Sequence, residues 1–282
     1  MARRVLEPRQ VAGRTISYIV LIALSLFYIY PFVIQLANTF KTEPDATANP
    51  LALVPNPVTT TAFHDLRHGS DFGLWVKNSV IVTLSVTFLR VFLDSLAGYA
   101  LARLRFRGRA AAFATIVAVM AVPGVVLLIP KFLIIRQIGI YDTYYGMIVP
   151  LLVDAAGVFI MKNFFESIPI SVEESARIDG ASLFRIYWSI VLPMARPALI
   201  TLFILSFQGS WNELAHFIIA AQSSGLNTLT KGVAQLASGQ LGSGNRYPLK
   251  LAASVLMTIP VAVLFFMFQR RIMNTSAGAV KE

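Results

Sequence analysis

The chain of 282 residues contains no cysteine, only three histidines and few charged residues. Without cysteine it can form neither a disulfide bond nor a thiolate metal site. Three histidines do not supply a set of ligands for a metal ion, so we predict no metal site. Charged residues make up 13% of the chain, about half of their share in soluble globular domains. These shortages argue against a soluble protein.

Motifs for nucleotide binding and for catalysis are also missing from the sequence. The chain has no Gly-x-x-x-x-Gly-Lys-Ser/Thr loop that could hold nucleotide phosphates. It has no residues at the spacing of metal ligands or of a Ser/His/Asp site, which weighs against a membrane hydrolase or glycosyltransferase. We therefore expect a chain that is not an enzyme and binds no cofactor, so any ATP-driven step requires another protein.

Hydrophobic residues, in contrast, make up 56% of the chain, and its mean hydropathy is +0.67. Six apolar stretches are long enough to cross about 30 Å of hydrocarbon as helices, and their length favours helices over a β-barrel. The sequence predicts an all-α integral membrane protein with one transmembrane domain over residues 1–282. The predicted spans are 16–37, 78–102, 110–134, 144–165, 196–221 and 249–269. Six spans without an internal repeat are too few for a doubled transporter bundle, so we expect half of a pore.

Clusters of arginine predict the orientation of these spans, because cytoplasmic flanks retain positive charge. They lie before the first span, between the second and third spans, and after the sixth span: Arg3, Arg4, Arg9 and Arg14; Arg103, Arg105, Arg107 and Arg109; Arg270 and Arg271. All three clusters predict cytoplasmic termini, a cytoplasmic 166–195 loop, and outward-facing segments 38–77 and 222–248. The first span is too long for a signal peptide, and we expect it to remain in the mature protein. The net charge of +10 thus reflects topology and predicts no nucleic-acid partner.

The 166–195 loop contains a motif at fixed spacing. Glu174-Ser175-Ala176-Arg177-Ile178-Asp179-Gly180 is followed, after nine residues, by Ile190-Val191-Leu192-Pro193. The spacing of Ser171 and Glu174 is that of a capping box, which predicts that a short helix begins here. Gly180 can adopt the left-handed backbone that ends this helix, and a second helix with an apolar stripe is predicted up to Pro193. The polar residues expected on the first helix are Glu173, Glu174, Arg177 and Asp179.

This motif resembles the EAA loop of bacterial ABC-importer permeases, which reads Glu-Ala-Ala, three residues, Gly, nine residues and Ile-x-Leu-Pro; here Ser175 replaces the middle Ala. The likeness covers nearly the whole chain and points to the carbohydrate branch, especially the maltose-type second permease subunit. Further strings that carry it are Asn78-Ser79, Ala97-Gly98-Tyr99-Ala100-Leu101-Ala102-Arg103, Trp211-Asn212-Glu213 and Gly278-Ala279-Val280-Lys281. The resemblance implies the type I ABC importer permease fold in a bacterial cytoplasmic (inner) membrane.

The resemblance also implies partners and a role in sugar import. Such a subunit pairs with a homologous second permease, two ATPase subunits that bind ATP and Mg, and an external sugar-binding protein. The residues implied to couple ATP hydrolysis to transport are Ser171, Glu174, Ala176, Arg177, Asp179, Gly180, Ile190, Leu192 and Pro193. The alternatives are an ABC importer permease for a non-sugar solute, such as a glycerol phosphodiester or an amino acid, and an ion-coupled secondary carrier.

Charged residues within the predicted spans are costly in lipid and are therefore candidates for a function or for contacts between helices. Arg90 and Asp94 lie four residues apart on one face of the second span. We interpret them as a structural pair whose charges neutralise each other, with a gate or a contact to the partner permease as the alternative. Asp154 has no partner at helical spacing, so it either lines the substrate path or bonds to a neighbouring helix.

The fifth span contains a candidate for contact with substrate. Trp211, Asn212 and Glu213 offer an aromatic ring, an amide and a carboxylate within one helical turn. These groups can stack on a sugar ring and bond to its hydroxyl groups. Packing between helices is an equal alternative, because consecutive residues point about 100° apart around a helix.

The outward segment before the sixth span is rich in small polar residues, namely Ser238, Gly239, Gln240, Gly242, Gly244 and Asn245. Such a segment cannot be a buried span. It resembles, by position, a loop that family members extend into the docked binding protein, and small residues would let the backbone approach a ligand cleft closely. A flexible connector is the favoured interpretation.

Overall fold

The computed structural model describes residues 8–240, 244 and 246–278 of the chain. All regular secondary structure within these residues is helical, which confirms the predicted all-α class. The chain divides into two units by its internal contacts. One comprises Met1–Asp71 with Leu236–Leu256, and the other comprises Phe72–Gln235 with Met257–Glu282.

The α-helices are, in chain order, α1 (Pro8–Thr39), α2 (Glu43–Ala48), α3 (Thr61–His68), α4 (Phe72–Arg103), α5 (Arg109–Met120), α6 (Leu128–Gln137), α7 (Tyr144–Ile148), α8 (Ala155–Ser167), α9 (Ile170–Ile178), α10 (Leu183–Ile186), α11 (Leu192–Met194), α12 (Arg196–Trp211), α13 (Ala215–Ala220), α14 (Leu229–Ala237) and α15 (Tyr247–Gly278). Shorter turns of other helix types connect some of them. They are the 3-10 turns Gly124–Leu127, Val149–Leu151 and Ser224–Leu226 and the π-helix Tyr187–Val191.

In the first unit, hydrogen bonds from side chains hold the segment that follows α1 in place. Asn38 donates from Nδ2 to the carbonyl oxygen of Pro50 at 2.8 Å, and Lys41 donates from Nζ to that of Asn49 at 2.6 Å. By contrast, the most apolar stretch of α1 is not buried by the rest of the described chain. A helix that is apolar all round and lacks protein contacts is suited to lipid or to another membrane protein.

In the second unit, α4 packs against α8 and α12. Two glycines allow the close approach of α4 and α8. A Cβ atom on Gly98 would lie 2.7 Å from the Cβ of Met161, and one on Gly157 would overlap the carboxylate of Asp94. Small residues at a crossing point are the usual means by which membrane helices come together.

The structure differs from six continuous helices in several places. Three segments are long and apolar enough to cross a membrane without a break, namely Gly13–Thr39, Phe72–Arg103 and Tyr247–Gln269. Three more candidates are bent pairs: Arg109–Met120 with Gly124–Gln137 (103°), Tyr144–Leu151 with Ala155–Ser167 (42°), and Leu183–Met194 with Arg196–Trp211 (79°). Counting each pair as one gives up to six spans. The boundaries of the six spans in a bilayer stay a prediction.

Candidate functional site

The first helix of the 166–195 loop begins earlier than the sequence predicts. α9 starts at Ile170, and its N-cap residue is Pro169, with φ −56° and ψ 129°. Proline suits this place because its φ is already fixed near the helical value and it has no N–H group to leave unpaired. The predicted capping box is therefore wrong, since Ser171 and Glu174 both lie inside α9.

The turn after α9 contains the predicted left-handed glycine. Gly180 has a φ of +78°, and its N–H donates to the carbonyl oxygen of Arg177 at 3.0 Å, as expected at the end of a helix. Ser182 then begins the next helix, because its Oγ accepts the N–H of Arg185 at 3.4 Å. The two helices of the loop are thus separated by a defined turn.

The second helix of the loop continues past Pro193. α10 leads into the π-helix Tyr187–Val191 and then into α11, and the helix ends after Met194. The helix thus ends one residue after Pro193, so the predicted end at this proline is one residue early.

The two helices of the loop present an exposed surface, which we call the coupling surface; it consists of Glu174, Arg177, Ile178, Asp179, Phe184 and Trp188. Its apolar members are Ile178, Phe184 and Trp188, which are 87%, 67% and 51% exposed. The rings of Phe184 and Trp188 stack with centroids 6.2 Å apart. Exposed aromatic and aliphatic side chains bordered by charges are typical of a protein-binding site.

Four further residues of the predicted coupling set are shielded from solvent, whereas Ser171 and Gly180 are exposed. Ala176 is buried, and Ile190, Leu192 and Pro193 are half-buried. Ile190 and Leu192 pack against the hydrophobic core of the second unit. They hold the second helix in place and leave Glu174 and its exposed neighbours free for a partner.

Glu173, which the sequence predicts to be exposed on α9, is fully buried. Its Oε1 lies 3.0 Å from Nε of Arg103, and its Oε2 lies 3.3 Å from Nη2 of Arg177. The hydroxyl of Tyr99 donates to the same Oε2 at 3.2 Å. The prediction for Glu173 is wrong because two arginines and a hydroxyl compensate the burial of its carboxylate.

Arg103 connects this carboxylate to α8. Its Nη2 donates to the carbonyl oxygens of Phe165 and Ile168, at 2.5 Å for Phe165. The last carbonyl groups of a helix lack helical partners, so a cation there satisfies them. Since Arg103 is the last residue of α4, one side chain joins α4, α8 and α9. We call Tyr99, Arg103, Glu173 and Arg177 the anchor cluster.

Asp154 and two charged residues of α4 stabilise the break that precedes α8. Asp154 is the N-cap of α8, and its Oδ2 accepts the N–H of Gly157 at 3.0 Å. Asp94 accepts the N–H of Asp154 at 3.1 Å, and Arg90 donates from Nε to the carbonyl oxygen of Leu151 at 2.7 Å. Among the ion pairs of the described residues there is none between Arg90 and Asp94, although the sequence predicts one. Each side chain instead bonds to a backbone group, and the two backbone groups lie on opposite sides of the break. A place for Asp154 in the substrate path stays a prediction.

The three candidates at the end of α12 have different environments. Trp211 is buried, and its Nε1 donates to the carbonyl oxygen of Met257 at 3.1 Å, so this residue packs within the chain. Glu213 accepts the N–H of His216 at 2.9 Å and thereby supports the start of α13. Asn212 is exposed. Any contact of these residues with substrate stays a prediction.

The small polar segment after α14 is described only in part. Ser238, Gly239 and Gln240 form a turn, and Gly239 has a φ of +78°. Gly244 also has a positive φ, of +52°. Gly242 and Asn245 lie outside the described residues, as does the end of the chain after Gly278.

Comparison with known proteins identifies the family of the chain. Residues 94–274 match the model of the binding-protein-dependent transport system inner membrane component family. The chain belongs to this family. The matched range contains the coupling surface and all residues of the anchor cluster, so both are features of a permease subunit of an ABC importer.

Named relatives match this permease over nearly its whole length. The arabinooligosaccharides transport system permease protein of Bacillus subtilis is 31% identical over 92% of this chain and 92% of that protein. The sulfoquinovosyl glycerol transport system permease protein of Agrobacterium fabrum is 31% identical over 96% and 95%. Among solved structures, a bacterial ABC transporter involved in the import of the acidic polysaccharide alginate matches with a TM-score of 0.82 at 24% identity, over 95% of this chain and 99% of that chain. The structural match confirms the predicted permease fold.

Proposed function

We propose that this permease is one of two membrane subunits of an ATP-driven, binding-protein-dependent sugar importer in the cytoplasmic membrane of a bacterium. It forms half of the translocation pore and couples ATP hydrolysis in separate subunits to alternating access. The relatives named for arabinooligosaccharides and for sulfoquinovosyl glycerol support a sugar as cargo, since each matches 92% or more of this chain. The arginine clusters support cytoplasmic termini and a cytoplasmic 166–195 loop.

The observation that carries this proposal is the coupling surface together with its attachment. A surface that receives a mechanical movement must be accessible to its partner and firmly joined to the helices that it moves. Phe184 and Trp188 are exposed, whereas Glu173, next to Glu174 in α9, is buried and ion-paired to Arg103 at the end of α4. The loop therefore has the two properties that coupling requires.

We infer the following sequence of events. ATP brings the two ATPase subunits together, their clefts carry the coupling surfaces of both permeases, and the pore changes from inward-open to outward-open. The external binding protein then releases sugar into the pore. Because a partner shifts an equilibrium only by its different affinity for the two states, the coupling surface must fit the closed ATPase dimer better than the open one.

Glu174 is the proposed ionic contact of the coupling surface. Its carboxylate is exposed on α9 and makes no ion pair within the described residues, so it is free for a cationic ATPase residue. In the complex with ATPase, partner permease and binding protein, Glu174→Ala should reduce sugar uptake about tenfold or more, the effect of losing one charged hydrogen bond. Asp71→Ala, which removes an exposed carboxylate far from the loop in sequence, should leave uptake unchanged.

Three measurements test the role of Glu174, the cargo and the ATP-driven mechanism separately. Unchanged ATP-driven uptake by an assembled Glu174→Ala complex would contradict the role of Glu174. Stimulation of ATP hydrolysis by a glycerol phosphodiester or an amino acid, and by no sugar, would contradict the cargo. Uptake by the purified chain alone, without ATP, would indicate an ion-coupled carrier and overturn the proposal as a whole.

A further inference from the structure

A cavity of 640 Å³ lies where α4 turns into α5, and its volume is in the range of ligand pockets, about 300 to 1,000 Å³. It is lined by Leu101, Phe106, Gly108, Arg109, Ala110, Ala111, Phe113 and Lys162. None of these residues belongs to the coupling surface or to the anchor cluster. The cavity is therefore a separate feature of the second unit.

The cavity and the link beside it carry more positive than negative charge. Nη2 of Arg109 lies 3.5 Å from Oε1 of Glu166, and Nζ of Lys162 lies 2.7 Å from Oε2 of the same residue. Arg105 and Arg107, in the same short link, are exposed and make no ion pair within the described residues. Arg109 and Lys162 thus share one carboxylate, and the two further arginines of the link have no counter-charge within the described residues, which favours a ligand with negative charge.

The walls of the cavity are apolar and already held in place. Phe113 stacks on Phe159 with ring centroids 6.0 Å apart, and Nζ of Lys162 lies 4.2 Å from the centroid of the Phe113 ring. Phe106 is 46% exposed beside them. A small soluble anion would use only the cationic rim and leave these walls in contact with water. A ligand with an anionic head and a hydrocarbon tail would satisfy both parts.

We propose that this cavity binds an anionic phospholipid, with its phosphate at Arg109 and Lys162 and an acyl chain along Phe106 and Phe113. The inference rests on the orientation in the proposed function, which places the link between α4 and α5 at the cytoplasmic surface of the membrane. Basic pockets at the cytoplasmic ends of membrane helices are suited to anionic headgroups. The bound lipid would occupy the junction of α4, α5 and α8.

The test measures lipid retention by the purified transporter complex. The complex is delipidated in detergent and titrated with phosphatidylglycerol or with phosphatidylcholine of the same acyl chains, and bound lipid is counted by native mass spectrometry. Phosphatidylglycerol should be retained and phosphatidylcholine should not. Arg107→Gln and Arg109→Gln should each weaken retention about fivefold, which corresponds to about 1 kcal/mol for one basic contact. Arg67→Gln, a matched loss of charge at an exposed arginine of α3, should have no effect.

A second variant tests the apolar part of the site without changing its charge. Ala111→Phe adds a large side chain to the cavity wall and should also release phosphatidylglycerol, whereas an excess of inorganic phosphate should not displace it. Equal retention of the two lipids, unchanged retention by Arg107→Gln, Arg109→Gln and Ala111→Phe, or displacement by phosphate would overturn the proposal. Lipid retention is measured without ATP or sugar. A negative result in this assay therefore does not contradict the proposed transport function, and a negative result in the uptake assay does not contradict the lipid site.

Discussion

At the scale of single residues, two neighbouring glutamates of α9 have opposite environments. Glu173 is buried in the anchor cluster, while Glu174 is exposed on the coupling surface. The sequence pattern predicts Glu174 correctly as an exposed carboxylate, but it gives no sign that Glu173 is buried. The reason is that its main partner, Arg103, is distant in sequence, and such a pair has no spacing that a local pattern could reveal.

Because Glu173 is buried and Glu174 is exposed, the same change from glutamate to glutamine should affect stability at Glu173 but not at Glu174. Glu173→Gln removes the counter-charge of Arg103, whose side chain is only 8% exposed, and breaking a buried ion pair costs about 3 to 5 kcal/mol. We therefore expect the assembled complex to lose thermal stability, measured as the temperature at which half of it dissociates or aggregates. Glu174→Gln, the same change on the exposed neighbour, should stay within about 0.5 kcal/mol of the parent. Equal stability of the two variants would show that the anchor cluster does not hold α9.

A double mutant distinguishes the ion pair from the other contacts of Arg103. Arg103→Gln removes the ion pair and also weakens the bonds to the carbonyl groups of Phe165 and Ile168. If the charges interact, the losses in Glu173→Gln and Arg103→Gln should sum to more than the loss in the double mutant, by about 0.5 to 3 kcal/mol. Strict additivity of the thermal stabilities would contradict a direct coupling between the two side chains.

At the scale of helices, hydropathy predicts where the apolar segments lie but not where they break. The breaks depend on individual polar contacts, such as those of Arg90, Asp94 and Asp154 around the start of α8. In lipid, every backbone group freed by a break needs a partner within the protein. The charged residues of the second and fourth spans supply those partners, which explains why they are tolerated there without requiring a role in transport.

The close packing of α4 and α8 gives a prediction at this scale. Gly157→Ala would place a methyl group against the carboxylate of Asp94, and forcing extra volume into a packed contact costs about 1 to 3 kcal/mol. We expect a lower yield of intact complex and a lower temperature of dissociation. Gly73→Ala, in α4 but with nothing within 4 Å of the added carbon, should be neutral or slightly stabilising, since alanine favours a helix by about 1 kcal/mol. The same loss in both variants would mean that the contact at Gly157 is not specific.

At the scale of the whole molecule, composition and one motif predict more than the local patterns do. The all-helical membrane class and the family follow from the apolar stretches and from the fixed spacing between Glu174, Gly180 and Pro193. The class and the family do not depend on the angle at which the helix pairs bend. The number of membrane spans does depend on that angle, because each of the three bent pairs can be one span or a re-entrant loop. The prediction of six spans therefore requires a direct test of sidedness.

Because the chain has no cysteine, a single introduced cysteine gives that test. Thr47, Gln137 and Ser167 are exposed and lie in the links after the first, third and fourth predicted spans. With six spans and cytoplasmic termini, Thr47→Cys and Gln137→Cys should react with a membrane-impermeant maleimide in intact cells, and Ser167→Cys only in inverted vesicles. If Gln137→Cys reacted only in inverted vesicles, the pair of α5 and α6 would not cross. Reaction of Ser167→Cys in intact cells, with the other two sites as expected, would place the coupling surface on the side of the membrane without ATP, where no ATPase could drive it.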